Sequence, residues 1–124
     1  HPNACLPCIR SGHCELQDLT NTFGIKDATL PNLTKRWPID DSTKALVLDS
    51  SKCILCGRCV EVCQNQQNVW ALGYLNRGLA TRITAANGIN LADSPCIKCG
   101  QCSAHCPTGA IVYTGAKGDK NEQN

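Results

Sequence analysis

Cys53-Ile54-Leu55-Cys56-Gly57-Arg58-Cys59, with Cys63 beyond it, returns 43 residues later as Cys96-Ile97-Lys98-Cys99-Gly100-Gln101-Cys102, with Cys106 beyond it. Both copies read C-x2-C-x2-C-x3-C. A third set, His1, Cys5, Cys8 and Cys14, reads H-x3-C-x2-C-x5-C. The chain has eleven cysteines, and with His1 they divide into three sets of four with none left over. Four is the number of protein ligands that a cubane iron–sulfur cluster takes. That closure makes three [4Fe-4S] clusters, and hence an electron relay, the leading reading of so short a chain.

The bulk properties agree with a chain held together by metal. At 124 residues with 4% aromatics and one phenylalanine, Phe23, a large apolar core is not available. Small chains of this kind usually need a metal or disulfide staple. Disulfides fit poorly, because eleven is odd and eight of the cysteines sit in tight runs that suit a shared metal better than mutual bridges. The formal charge of +2 assumes neutral thiols. Bound thiolates around three cluster cores would bring the net charge to about −3, so the mild basicity does not point to nucleic acid. The densest basic spot is only Lys35-Arg36. No apolar run reaches transmembrane length and no signal-peptide pattern opens the chain, so a membrane is not an expected partner either. With no Met anywhere and His1 in first place, the sequence reads as a processed or excised piece of a longer polypeptide.

Punctuation gives the coarse structure. Leu16, Leu19 and Phe23 stand at helical spacing between Glu15 and Phe23, and Gly24 stops the pattern. Residues 31–38 form a polar connector bounded by Pro31 and Pro38. Ala45–Leu48 reads as a short strand and Ala110–Tyr113 as a closing one. Leu72–Leu75 and Leu79–Ile83 read as a hairpin through Asn76-Arg77-Gly78, with Gly78 at a position of positive φ. The tail from Gly115 is a polar linker or frayed end. The expected class is α+β: residues 1–40 a small cluster domain with one histidine and three cysteine ligands, residues 41–124 a two-cluster bacterial ferredoxin-like domain. The 43-residue repeat predicts a pseudo-twofold arrangement in the second, and Asp49 and Asp93 echo one another ahead of the two runs.

Three cysteines spaced by two residues wrap one loop around a cubane. In two-cluster ferredoxins the fourth cysteine of each run ligates the other cluster. Applied here, one cluster takes Cys53, Cys56, Cys59 and Cys106, and the other takes Cys96, Cys99, Cys102 and Cys63. Gly57 and Gly100 follow the second cysteine of each run, where the lack of a Cβ lets backbone approach inorganic sulfur. Pro107 follows Cys106, but Gln64 follows Cys63, which leaves the first half free to hold an insertion. Zinc is the chemical rival, giving a zinc-stabilised interaction module. Zinc sites usually pair two C-x2-C knuckles, whereas each run here delivers three cysteines. On spacing alone His1 stands evenly between a ligand and a surface residue. His13 and His105 lie too close to Cys14 and Cys106 to be obvious ligands.

The segment His1-Pro2-Asn3-Ala4-Cys5-Leu6-Pro7-Cys8, continued by Gly12-His13-Cys14-Glu15-Leu16-Gln17-Asp18, resembles the His-ligated cluster motif of iron-only hydrogenases. Related motifs occur in complex I large subunits and NAD-linked formate dehydrogenases. The resemblance implies that His1, Cys5, Cys8 and Cys14 bind one [4Fe-4S] cluster. Leu75-Asn76-Arg77-Gly78, Pro95 to Cys102 and Cys106-Pro107-Thr108-Gly109-Ala110 look most like hydrogenase. It further implies an upstream [2Fe-2S] domain and a downstream catalytic domain in the parent polypeptide. A redox partner such as ferredoxin or a flavin- or NAD(P)-linked subunit, in the cytoplasm, goes with it. The expected function is relay of single electrons to or from the catalytic site of a larger oxidoreductase, most like an iron-only hydrogenase. The alternative parents are a formate dehydrogenase or a complex I-like oxidoreductase. This piece itself shows no catalytic set: Asp27, Asp40, Asp41 and Glu61 form no acid–base constellation and read as solvated surface.

Overall fold

A computed structural model describes residues 8–26 and 37–115. His1, Cys5, Asp27, most of the 31–38 connector and the tail beyond Gly115 fall outside them.

The first described segment carries helix α1, Glu15–Thr22, which begins on the extended backbone of Cys14 and is followed by Gly24 in the left-handed region. The apolar stripe that predicts this helix stays largely in the open, with Leu16, Leu19 and Phe23 all exposed. The segment touches the rest of the chain through Ile9, whose N–H donates to the Thr108 carbonyl at 3.2 Å. The methyl of Ile9 occupies the space where a side chain on Gly109 would stand.

The repeat domain is closed by its two ends. Strand β1, Leu46–Leu48, pairs antiparallel with β4, Ile111–Tyr113, in the register Leu46 with Tyr113 and Leu48 with Ile111. A second ladder, β2 (Leu72–Leu75) with β3 (Arg82–Ala85), lies between the two cysteine runs. Its second strand starts later than the sequence suggests. Leu75 pairs with Arg82, and Asn76 and Gly78 both take positive φ in a connection that includes a 3-10 turn over Gly78–Ala80. The apolar alternation of Ile83 and Ala85, both buried, decides that register, while Leu79 stays exposed.

The two runs fold alike. Leu55 and Lys98 take φ of 58° and 56°, Gly57 and Gly100 take 78° and 75°. Helices α2 (Arg58–Glu61) and α3 (Gln101–Ala104) then start at equivalent places. They end differently. Pro107 has no N–H to continue α3, whereas after Cys63 the helix runs on through a π-turn over Val62–Gln66. The core sits between the runs: Leu46, Leu48, Val62, Leu72, Ile83, Leu91 and Ile111 pack with Cys59 and Cys102.

The carboxylates ahead of the runs are tied down. Asp49 caps the 3-10 turn Ser50–Lys52, accepting from the Ser51 N–H at 3.0 Å and the Ser51 hydroxyl at 2.6 Å. The corresponding cap in the second half is Asn90 over Leu91–Asp93, not Asp93. Asp40, expected at the solvated surface, instead accepts from the Leu91 N–H at 2.8 Å and from Ser42, and the Ser42 hydroxyl accepts from the Ala92 N–H. Burial works to raise the Asp49 pKa, but the Ser51 hydroxyl and N–H and the Lys52 ammonium outweigh it and hold the carboxyl below its ordinary value. The stability that Asp49 adds is therefore present above the ordinary carboxylate range and is lost as pH falls through the depressed value. Asp49→Ala should lower stability by about 1 kcal/mol at neutral pH. Anaerobic urea unfolding should show that difference shrinking below pH 4, and a difference unchanged by acid would refute the cap.

Candidate metal centres

Two cavities lie on either side of the core, and each is lined by four cysteines. One is lined by Cys53, Cys56, Cys59 and Cys106 and encloses about 340 Å³, mouth included. The other is lined by Cys63, Cys96, Cys99 and Cys102 and encloses about 420 Å³. In each, the fourth cysteine comes from the other run. Both walls are otherwise mostly apolar: Leu48, Ile54 and Ile83 in the first, Leu46, Leu72 and Leu91 in the second, with Ile111 in both. A third opening, between Pro38–Ser42 and Arg82–Thr84, contains no cysteine. Arg82 there stacks on Trp37 at 3.8 Å from the ring centroid. Donor chemistry, not size, marks the two cysteine-lined cavities as the candidate centres.

The geometry follows from the chain between the cysteines. Alternating positive φ at Leu55 and Gly57, and at Lys98 and Gly100, curls each C-x2-C-x2-C run into a loop whose sulfurs face one space. Helices α2 and α3 then carry Cys63 and Cys106 across the core to the opposite cavity.

The thiols feel one another. Burial first, then Cys53, Cys102, Cys106 and Cys56, push the Cys59 thiol up to about 12. Burial also pushes Cys102 up to about 11, with the Ser103 N–H opposing and Cys96, Cys99 and Cys63 adding. Cys53 rises through burial together with Cys106 and Cys56, against the Leu55 N–H, which donates to its sulfur at 3.4 Å. Cys106 goes the other way. Burial raises it, but the N–H groups of Thr108, Ile111 and Ala110 and the Thr108 hydroxyl, 3.7 Å away, leave it below the ordinary thiol value. Buried thiols that disfavour the anion need a cationic centre to become ligands, and a thiolate already cradled by N–H groups is ready for one. The donor set therefore fits an iron–sulfur core.

Among the described residues no three His, Cys, Asp or Glu side chains come together tightly enough to hold one metal ion. A single zinc draws its sulfurs to about 3.8 Å from each other, given its bond length of about 2.3 Å. A four-iron core carries its ligands on four separate atoms and spaces them more widely. All ten described cysteines are free thiols. Cys8 and Cys14 belong to the third set; the Arg10 N–H donates to the Cys8 sulfur at 3.4 Å, as Leu55 does to Cys53. Their expected companions, His1 and Cys5, lie outside the described residues. Sequence reasoning missed the N–H cradle of Cys106, though Thr108 two residues on, before Gly109, was the signal at hand.

Residues 45–107 match the 4Fe-4S dicluster domain. The chain belongs to this family. Residues 1–29 of this dicluster chain match the NADH-ubiquinone oxidoreductase-G iron-sulfur binding region. The NADP-reducing hydrogenase subunit HndD of Solidesulfovibrio fructosivorans is 41% identical over 90% of the chain. Iron hydrogenase 1 of Clostridium pasteurianum is 36% identical over 68% of it. An NADH-quinone oxidoreductase subunit of Rhizobium meliloti is 32% identical over 90%. The chain spans 19%, 15% and 13% of these relatives respectively. The crystal structure of an NAD+-reducing [NiFe]-hydrogenase in the H2-reduced state aligns with a TM-score of 0.66 and 31% identity, covering 93% of this chain and 49% of that one. The dicluster chain is thus a ferredoxin-like iron–sulfur electron-transfer region of mixed helix and strand, related to regions of oxidoreductases. No helix among the described residues is long and apolar enough to cross a membrane.

Cys106→Ala should damage the centre formed with Cys53, Cys56 and Cys59 and spare the one whose run it ends. Electron paramagnetic resonance of the reduced variant should show one ferredoxin-type signal altered. Damage confined to the Cys96, Cys99, Cys102 centre would refute the crosswise assignment.

Proposed function

We propose that the chain is a three-cluster relay for single electrons. Cys53, Cys56, Cys59 and Cys106 hold one [4Fe-4S] cluster, Cys96, Cys99, Cys102 and Cys63 a second, and His1, Cys5, Cys8 and Cys14 a third. Each cluster, when bound, accepts and returns one electron. The observation that carries this reading is the pair of cavities, each with four cysteines drawn crosswise from both runs. Supporting it, the Cys106 cradle stabilises a thiolate.

The protein's own contribution is placement. Ile111 lines both cavities, so one side chain's thickness separates the two centres there. The N–H groups around Cys106 offset negative charge at the first. The Ile9–Thr108 hydrogen bond joins the segment of Cys8 to the turn that follows Cys106, which would bring a cluster held in part by Cys8 beside the Cys53 set. Residues 1–40 and 41–124 then act as two cluster domains in series.

The parent is an oxidoreductase, most like an iron-only hydrogenase, with an upstream [2Fe-2S] domain, a downstream catalytic domain and a ferredoxin or a flavin- or NAD(P)-linked subunit as redox partner. The likeness to hydrogenase HndD and to iron hydrogenase 1 supports this. A second reading, the electron-input region of another NAD-linked oxidoreductase, is favoured by the likeness to the NAD+-reducing [NiFe]-hydrogenase and to the NADH-quinone oxidoreductase of Rhizobium meliloti. Eleven cysteines in metal-binding runs suit a compartment that keeps thiols reduced, the cytoplasm.

Anaerobically reconstituted protein should contain about twelve irons and about twelve acid-labile sulfides per chain, with broad visible charge-transfer absorption that bleaches on reduction. Zinc without labile sulfide would overturn the relay. His1 gives a signed test: a neutral imidazole leaves its cluster less negative than a thiolate does and raises its potential. His1→Cys should keep the iron count and lower one midpoint, and His1→Ala should lose iron or recruit an outside ligand. An unchanged potential and spectrum in both variants would remove His1 from the ligand set.

A further inference from the structure

Cys106 and Cys63 end the two runs at equivalent places, but different chemistry follows them. Two residues after Cys106 stands Thr108, which is 6% exposed and lines the cavity of the Cys53 set. Its hydroxyl lies 3.7 Å from the Cys106 sulfur, and among the described residues that sulfur is its hydrogen-bond partner. A thiolate ligand has no proton to give, so with Cys106 bound to iron the hydroxyl is the donor of the pair.

The turn that carries this hydroxyl is tied from two distant parts of the chain. The Thr108 carbonyl accepts from the Ile9 N–H at 3.2 Å, and the Ala110 carbonyl accepts from the Asp49 N–H at 2.7 Å. Between them Gly109 takes φ of 75° and leaves to Ile9 the space its own side chain would need. On so anchored a backbone, the stiff χ1 of a β-branched residue gives the hydroxyl little freedom to turn away.

The repeat does not supply a counterpart. In the place of Thr108 after Cys63 stands Asn65, whose amide donates to the Glu61 carboxylate at 2.8 Å. The Gln64 amide donates to the Leu72 carbonyl at 3.0 Å. Neither residue lines the cavity of the Cys96 set.

We propose that Thr108 is a positioning residue whose hydroxyl, acting through the Cys106 sulfur, raises the reduction potential of the Cys53 centre and has no equivalent at the Cys96 centre. This rests on the cluster reading above. Reduction adds negative charge to an already anionic core, and part of it falls on the ligand sulfurs, so a donor to such a sulfur favours the reduced state. The N–H groups of Thr108, Ala110 and Ile111 act on the same sulfur in the same direction. They come with the turn, whereas the hydroxyl comes with the residue. An electron shared between the two centres is biased by it towards the Cys53 centre.

The test is a redox titration followed by electron paramagnetic resonance on the whole reconstituted chain. Cys56→Ser and Cys99→Ser assign each midpoint to its centre, and iron and sulfide are counted for every variant. Thr108→Val keeps the shape and removes the donor, and it should lower the midpoint of the Cys53 centre alone. Thr108→Ser keeps the donor and should restore it. Asn65→Ala should move neither midpoint. A Cys53 midpoint unmoved in Thr108→Val at full iron content would overturn the proposal and leave the cluster reading intact. So would a Thr108→Ser midpoint as low as that of Thr108→Val, which would assign the effect to packing, or loss of iron in Thr108→Val, which would make the role structural. A Cys96 midpoint lowered by Asn65→Ala would remove the asymmetry. Unsubstituted protein that takes up no iron and sulfide would sink the cluster reading and this role with it.

Discussion

Gathering four thiols around one largely apolar space is unfavourable for the most deeply buried of them as anions. Cys59 and Cys102, pushed up to about 12 and 11, record that cost. The same crowding is what makes the space fit for a cationic core. Iron can displace the protons and turn mutual repulsion into shared coordination. Much of the rest of the fold serves this gathering. The αL turns curl the loops, α2 and α3 carry the fourth cysteines across, and a thin layer of Leu, Ile and Val excludes water between the cavities.

The sequence foretold the parts of this arrangement that depend on local spacing. The three-cysteine runs and the turn glycines are dictated by positions close in the chain, and they appear twice in nearly the same conformation. The cavity walls place Cys106 with Cys53, Cys56 and Cys59, and Cys63 with Cys96, Cys99 and Cys102. What spacing could not supply is anything decided by contacts between distant segments. The start of β3 was set by which of Leu79, Ile83 and Ala85 finds the core. Asp40 looked like a surface carboxylate because its distant partner, the Leu91 N–H, lies 51 residues away. The third cysteine set shares one local trait with the first run, an N–H on a sulfur two residues back, at Cys8 as at Cys53.

The two halves differ most where one residue type differs. Proline after Cys106 ends α3 and frees a turn whose N–H groups converge on that sulfur. Glutamine after Cys63 lets the helix continue into a wider π-turn, and its side chain reaches on to the Leu72 carbonyl at 3.0 Å. A duplicated sequence thereby yields two non-equivalent environments, with the N–H cradle at one, while the added hairpin lends Ile83 to that cavity and Leu72 to the other.

The antiparallel pairing of β1 with β4 has a kinetic side. Leu46 and Tyr113 are partners across nearly the whole length of the repeat domain, and Cys106 stands far downstream of the three sulfurs that share its cavity. During synthesis the first run leaves the ribosome well before the strand and cysteine that complete it. Nothing local can substitute for them, since closing so long a loop is entropically unfavourable until the last contacts form. The nascent chain thus carries a set of three open thiols until Cys106 and β4 have been made. Cluster insertion and folding become a single late event, governed by when the C-terminal strand emerges.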